Sequence, residues 1–272
     1  MTEEKRTHLK DLARKIRIDI IEAGYGAGEN GVHFGSTLSM AEILAVLYSG
    51  VIQWNKNDLE NRDRVILSKG HGALALYSVL SEKGLMTKEE LLSFEHNGTL
   101  FAAHSPRIIE KGLEFVGGSL SLGISNAMGV ALACKKKELN NKVYVIVGDG
   151  ELNEGLVWES LMFASAKQLN NVVVIIDHNH MQAYGTTEEI LDIGNLQKKI
   201  EAFDFNCQTV DGHDVEAIEG ALSNLNTNKP TVIICETVKG KGVSFIENKT
   251  KWHYNPLNEK FYKKAMKELG VE

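Results

Sequence analysis

The 272-residue sequence predicts an α/β fold, namely a doubly wound, mostly parallel sheet with helices on both faces. The evidence is clearest at residues 142–147 and 171–177, which are continuous runs of apolar, mainly β-branched side chains. Such runs are typical of strands that are buried on both faces. Segments with helical periodicity alternate with these runs, and this alternation indicates parallel βαβ units. We therefore expect ligands to bind at the carboxyl ends of the strands.

The first predicted element is a helix over residues 4–24, because apolar residues recur there at helical spacing and a glycine ends the pattern. A second helix is predicted to begin at Ser39, with Glu42 completing a capping box. Thr87 and Glu90 form another such pattern. The remaining predicted elements are strands at 64–68, 205–210 and 231–236, helices at 72–84, 87–96, 121–136, 155–168 and 214–225, and an irregular segment at 97–120.

Composition is that of an ordinary globular protein, since 43% of residues are hydrophobic and 24% are charged, and this excludes a disordered or fibrous chain. We expect one domain over residues 1–272, given about 150 residues per domain as a guide. The net charge of −6 favours neither a nucleic acid nor an anionic membrane as partner. The three cysteines are widely spaced, and neither a membrane-spanning run nor a signal-peptide core is visible. We therefore expect a cytoplasmic protein.

Asp149 is the most informative residue, because it lies between two glycines directly after the predicted strand at 142–147. The spacing G-x-G-x-x-x-x-G differs from the dinucleotide fingerprint. A carboxylate would repel a diphosphate unless a divalent cation such as Mg²⁺ or Ca²⁺ lay between them. Asn179 follows the next strand, and adjacent parallel strands would bring its amide oxygen to the same crevice. A tight turn with a solvated aspartate is the alternative that these residues leave open.

Several ordered motifs across almost the whole chain resemble the transketolase family. Gly150 is separated from Asn179 by 28 residues, as in the thiamine diphosphate signature of that family. The matching strings are SKGHG at 68–72, GSLSLGISNAMG at 118–129, GDGELNEG at 148–155, VDGHD at 210–214 and TVKGKGVSF at 237–245. The resemblance is to the N-terminal, diphosphate-binding half, in the form encoded as a separate subunit. It implies thiamine diphosphate- and Mg²⁺-dependent transfer of a two-carbon ketol unit from a ketose, expected to be phosphorylated, to an aldose.

The resemblance also assigns residues to the cofactor. Asp149 and Asn179 match side-chain ligands of the metal, and Met181 matches a ligand that acts through its backbone carbonyl. The other residues that match cofactor contacts are His71, Gly118, Ser119, Leu120, Gly148, Gly150 and Glu151. Backbone N–H groups at a helix N-terminus would suit the diphosphate.

Catalytic roles are implied for four histidines, which are His33, His71, His104 and His253. An imidazole titrates near neutrality and can both donate and accept protons. The remaining histidines are expected to be surface or structural residues: His8, His96, His178, His180 and His213.

Three charged residues have two interpretations each. Glu154 matches an acidic residue buried at a subunit interface, where it would communicate protons between paired active sites. The alternative is a glutamate favoured by the helix macrodipole. Lys239 and Lys241 either contact a substrate phosphate or belong to a solvated loop.

The resemblance implies that half of the active site lies on a partner chain. A C-terminal transketolase subunit would carry the pyrimidine-binding domain and the activating glutamate, and a heterotetramer is expected. The sequence departs from the family pattern at Ser121, Leu122, Tyr254, His178 and the segment 180–182. These departures leave open a specialised transketolase for a sulfonated or deoxy ketose, or a related acyl-transferring enzyme. A non-catalytic thiamine diphosphate-binding protein is a third hypothesis.

Overall fold

The computed structural model describes residues 1–271, and Glu272, the last residue of the expected domain, lies outside the described residues. Within residues 1–271, five strands form a parallel sheet in the order β1-β2-β3-β5-β4. They are β1 Arg64–Leu67, β2 Val143–Gly148, β3 Val172–His178, β4 Asn206–Asp211 and β5 Thr231–Glu236. Every predicted strand is therefore confirmed to within one residue at each end.

Helices connect and cover these strands. In the described part of the chain they are α1 Glu3–Gly26, α2 Phe34–Leu38, α3 Ala41–Val46, α4 Ala73–Glu82, α5 Lys88–Leu92, α6 Leu122–Lys136, α7 Gly155–Ala166, α8 Thr187–Leu191, α9 Leu196–Glu201, α10 Val215–Ser223 and α11 Glu259–Glu268. The capping box of Thr87 and Glu90 is confirmed at the start of α5, although this helix ends earlier than expected. The helices that were not predicted include α2, α8 and α9, which are too short to show a clear period.

The sheet separates two apolar cores. Tyr144 and Ile146 of β2 point into the larger core, which α1, α3, α4 and α10 help to form. Val145 and Val147 point into the second core, which α6, α7 and α9 cover. Successive side chains of a strand face opposite sides of the sheet, so a strand must be apolar throughout when both faces are covered. The predicted doubly wound architecture is thus confirmed.

The prediction that Ser39 caps a helix is wrong. Ser39 lies between α2 and α3 with helical backbone angles, and it caps neither helix through its side chain. Its hydroxyl instead donates to Asp177 Oδ2 at 2.6 Å. Glu42 accepts hydrogen bonds from the buried Arg17 at 2.7 Å instead of closing a capping box. Both side chains have buried, charged partners in the tertiary structure, and these are stronger than a local backbone N–H.

The register of the sheet positions the candidate site. Gly148 at the end of β2 pairs with Asp177 near the end of β3. The chain therefore leaves both strands at the same edge of the sheet, and Asp149 and Asn179 both follow at that edge. No helix among the described residues is both long and apolar enough to cross a membrane.

Candidate functional site

A cavity of about 290 Å³ lies at the carboxyl ends of β2 and β3. Twelve of the predicted site residues line it: His33, His71, His104, Gly118, Leu120, Gly148, Asp149, Gly150, Glu151, Asn179, Met181 and His253. Parallel strands explain this convergence, because loops from separate parts of the chain emerge at the same edge of the sheet.

Asp149 supplies a carboxylate that the protein does not satisfy. One of its oxygens accepts a hydrogen bond from the Gly150 N–H at 2.8 Å. The other is buried and has no hydrogen-bond partner within the described residues. Burial, reinforced by the negative charge of Asp177, raises the pKa of the Asp149 carboxyl to about 6. The alternative interpretation, a tight turn with a solvated aspartate, is thus wrong, because Asp149 is only 3% exposed.

Further oxygen donors line the same cavity as this unsatisfied carboxylate. Asn179 is buried, and its amide oxygen accepts the Met181 N–H at 3.2 Å. Met181 lines the same cavity and forms an isolated bridge with Thr186 that fixes the turn. A carboxylate, an amide oxygen and a backbone carbonyl are the donors that Mg²⁺ and Ca²⁺ prefer. These three residues therefore fit a hard divalent cation.

A second aspartate, Asp177, is unavailable to such a cation. It is fully buried, and Lys69 forms an ion pair with its Oδ2 and also donates to the Ser36 carbonyl at 2.8 Å. The Thr237 hydroxyl donates to Oδ1. Burial alone would raise the pKa of Asp177, but the charge and hydrogen bond of Lys69 outweigh it and lower that pKa. Two aspartates near the strand ends thus have distinct roles, and Asp149 is the one left free.

Lys239 brings a second buried cation to the cavity. Its Nζ donates to the Gln182 carbonyl at 2.8 Å and lies 3.4 Å from His253 Nδ1. Burial lowers the pKa of this ammonium to about 8, although the charge of Asp149 opposes the shift. The expectation of a solvated loop is wrong for Lys239, which is 1% exposed. Lys241 is half-buried and does not line the cavity.

Four histidines form a cluster at one side of the cavity. The His33 ring centroid lies 5.3 Å from that of His71, 5.3 Å from that of His253 and 6.2 Å from that of His104. Burial is the main cause of pKa values of about 3 for His33 and about 4 for His253, and it also lowers the pKa of His71. These three imidazoles are neutral at pH 7, and each offers one donor and one acceptor to a polyhydroxylated ligand.

The Glu151 side chain has a role that the sequence did not reveal. Its carboxylate accepts hydrogen bonds from the Ser68 hydroxyl, from the Ser121 N–H at 2.6 Å and from the Gly148 N–H at 3.1 Å. Ser121 adopts a left-handed backbone with φ of 67° at the start of α6. Glu151 thus ties the end of β1, the loop before α6 and the end of β2 into one rigid cavity wall.

Two of the predicted site residues lie outside the cavity. Ser119 is exposed and does not line it. Glu154 is exposed at the N-terminus of α7, and its side chain makes no cap hydrogen bond. Its proposed place at a subunit interface stays a prediction.

Two departures from the family pattern differ in their relation to the cavity. Leu122 is exposed at the start of α6. Tyr254 stands at the mouth of the site, where its ring centroid lies 4.7 Å from that of His33. Tyr254 is therefore the departure best placed to contact an entering substrate.

The sequence matches the family described as "Transketolase, thiamine diphosphate binding domain" over residues 6–272. The chain belongs to the transketolase family. It is 37% identical to the 6-deoxy-6-sulfo-D-fructose transketolase subunit SqwG of Clostridium sp. (strain MSTE9), covering 97% of this chain and 96% of that protein. It is 36% identical to an apulose-4-phosphate transketolase subunit of Actinobacillus succinogenes, with the same coverage.

Single-chain transketolases match over part of their length. Human transketolase is 36% identical over 98% of this chain, which spans 43% of the human protein. The crystal structure of transketolase from Campylobacter jejuni superposes with a TM-score of 0.86 at 31% identity, covering 99% of this chain and 43% of that one. The chain thus spans about two-fifths of these single-chain relatives. The expected family, fold and thiamine diphosphate-binding domain are confirmed.

Proposed function

We propose that this chain is the diphosphate-binding subunit of a two-component transketolase that transfers a two-carbon ketol unit from a ketose to an aldose. The observation that carries the proposal is the buried Asp149 oxygen, which has no hydrogen-bond partner among residues 1–271 and belongs to a cavity that Asn179 and Met181 also line. A buried, unsatisfied carboxylate is costly unless a cation compensates it. A divalent metal that bridges to a cofactor diphosphate would do so.

The proposed cofactor is thiamine diphosphate with Mg²⁺, or Ca²⁺ in its place. Asp149, Asn179 and the Met181 carbonyl would hold the metal. His71, together with backbone groups of Gly148, Gly150 and Glu151, would contact the diphosphate, and the loop of Gly118, Ser119 and Leu120 would border the pyrimidine ring. When bound, the cofactor supplies the carbanion chemistry that breaks the bond beside a ketose carbonyl.

The protein groups would bind, orient and move protons. His33, His104 and His253 line the cavity and are placed to hold sugar hydroxyls, and the neutral imidazoles of His33 and His253 can accept a hydroxyl proton. The buried Lys239 ammonium adds positive charge beside His253 and favours an anionic group in the cavity. Lys69 does not compete for that role, because Asp177 neutralises it.

A partner chain is part of the proposal. SqwG and the Actinobacillus relative, which this chain matches over nearly their whole length, are named as subunits, whereas human transketolase is more than twice as long as this chain. A C-terminal transketolase subunit would add the pyrimidine-binding domain and its activating glutamate. A heterotetramer with two sites at chain interfaces is the expected assembly.

A specialised substrate is the second candidate. SqwG is named for a sulfonated deoxy sugar and the Actinobacillus relative for apulose 4-phosphate, and the exposed Tyr254 ring lies 4.7 Å from the ring of His33, which lines the cavity. We therefore include a sulfonated or deoxy ketose among the possible donors. A related acyl-transferring enzyme and a non-catalytic binding protein are the other hypotheses.

Reconstitution tests the proposal. The chain is mixed with a C-terminal transketolase subunit that carries the pyrimidine-binding domain, thiamine diphosphate and Mg²⁺, and ketol transfer is assayed with common pentose and hexose phosphates and with sulfonated and deoxy ketoses. We expect activity only in the mixture, lost in Asp149→Ala and kept in His8→Ala, because His8 is exposed near the start of α1 and does not line the cavity. Activity of this chain alone would contradict the two-component assignment. Preference for one ketose decides between the candidates.

A further inference from the structure

Two histidines on either side of Asn179 converge on one carboxylate. His178 Nδ1 lies 3.0 Å from Glu236 Oε1, and His180 Nε2 lies 2.6 Å from Glu236 Oε2. The two imidazole rings are 4.1 Å apart between centroids. One nitrogen of each ring and a carboxylate oxygen all lie within 4.8 Å of one another. The sequence had marked these histidines as departures from the family, and the proposed transfer reaction gives them no role.

The scaffold holds this cluster in place. His178 and Glu236 are register partners at the ends of the neighbouring strands β3 and β5. The Thr237 N–H donates to the His178 carbonyl at 3.0 Å, which extends the strand pairing by one bond. His180 adopts a left-handed backbone with φ of 60°, rare for a residue other than glycine. With this backbone conformation at His180, both histidines contact the Glu236 carboxylate.

The cluster is distinct from the oxygen-lined site on the same turn. Asn179 and Met181 line the cavity at the ends of β2 and β3, whereas His178, His180 and Glu236 do not. Two imidazole nitrogens with one carboxylate form a donor set that suits Zn²⁺, and imidazole generally favours transition metals over Mg²⁺. His180 and Glu236 are partly exposed at 57% and 41% of their side chains, so water can reach the fourth position.

We propose that His178, His180 and Glu236 bind a divalent transition-metal ion of the Zn²⁺ class, with water as the fourth ligand. The ion replaces the two histidine–carboxylate hydrogen bonds, since the metal would lie between the groups that now share protons. It links the ends of β3 and β5 and clamps the turn that presents Asn179 and the Met181 carbonyl. The nitrogen-rich site and the oxygen-rich site then select different metals on one short segment.

The test uses the full chain without an affinity tag, stripped of metal with a chelator and dialysed. Zn²⁺ alone is titrated by calorimetry, and Co²⁺ is added separately to read the visible absorption of a tetrahedral site. The variants are His180→Ala and Glu236→Gln. His253→Ala is the matched control, because the four-histidine cluster in the cavity is the other place where Zn²⁺ could bind.

We expect the wild type to bind one equivalent of Zn²⁺. His180→Ala and Glu236→Gln should each lower the affinity for this ion at least about tenfold, because even indirect partners of a metal ligand contribute that much. His253→Ala should retain this equivalent. At the same concentration, Zn²⁺ should also raise the thermal unfolding midpoint of the wild type by more than that of His180→Ala. Absence of Zn²⁺ binding, or undiminished binding by His180→Ala, would overturn the proposal. Either outcome is independent of ketol transfer.

Discussion

Replacing Asp149 by asparagine should stabilise the metal-free chain at pH 8. Burial, with the nearby charge of Asp177, raises the pKa of this carboxyl from an ordinary 3.8 to about 6. Each unit corresponds to about 1.4 kcal/mol, so ionised Asp149 costs the folded chain about 3 kcal/mol above pH 6. Asparagine removes that cost and keeps the oxygen that accepts the Gly150 N–H. The amide nitrogen of the asparagine lacks a hydrogen-bond partner at the position of the second carboxylate oxygen, and this costs about 1 to 2 kcal/mol. The free energy of unfolding should therefore rise by about 1 to 2 kcal/mol.

The gain should depend on pH in a defined direction. The pKa of Asp149 in the folded chain lies above its unfolded value, so the destabilisation is complete above pH 6 and disappears as the pH falls toward 3.8. At pH 5 about half of the 3 kcal/mol remains, which the unpartnered amide roughly cancels. The variant and the wild type should therefore be about equally stable at pH 5.

Urea unfolding with EDTA at pH 8 and pH 5 measures this difference. Asp11→Asn, an exposed position on α1, is the control and should change the free energy of unfolding by less than about 0.5 kcal/mol at either pH. In the reconstituted enzyme Asp149→Asn should lose Mg²⁺-dependent cofactor binding. The reasoning is refuted if the variant is less stable than the wild type at pH 8, or if the stability difference is the same at both pH values.

Three further changes test other parts of the structure. Gly70→Ala places a Cβ 2.5 Å from the Gly118 nitrogen, so urea unfolding should show a loss of about 1 to 3 kcal/mol, whereas Gly129→Ala, with open space around it, should not destabilise helix α6. Glu42→Gln should cost about 3 kcal/mol at pH 7 by unpairing the buried Arg17. Burial raises the pKa of Glu42, but His213 and Arg17 outweigh it and hold that pKa at about 2; the stabilisation is present above about pH 4.5 and is lost toward pH 2, so unfolding curves of the two proteins should converge in acid. His33→Asn should lower kcat/KM of the reconstituted enzyme about 100-fold with unchanged cofactor affinity, and an unchanged kcat/KM would remove His33 from the proton-moving groups.

Helix and strand predictions succeeded where local pattern and tertiary environment agreed. The runs at 142–147 and 171–177 became β2 and β3, because only a strand covered on both faces buries such residues in succession. Prediction failed at Ser39, where the local capping pattern had to compete with Asp177, 138 residues away. No window of sequence contains that partner.

The candidate site shows the same division. The Gly-Asp-Gly motif and Asn179 could be identified because their spacing is a property of the sequence itself. Lys239 could not be assigned, because its burial depends on how the segment after β5 packs against the cavity. The signal for Lys69 was present in the LysGlyHisGly motif, but its partner Asp177 could only be recognised once β3 had been placed.

By itself, the sequence determined the sheet, its alternation with helices, the family and most of the residues that converge at the strand ends. These depend on side-chain pattern and spacing, which are written along the chain. Only the tertiary structure decided which of two neighbouring aspartates stays free for a cation. Asp177 is neutralised by Lys69, whereas one buried oxygen of Asp149 has no hydrogen-bond partner in the part of the chain that the structure describes. The physical reason is that charge pairing and desolvation depend on distance in space, and the residues that set them are far apart in the chain.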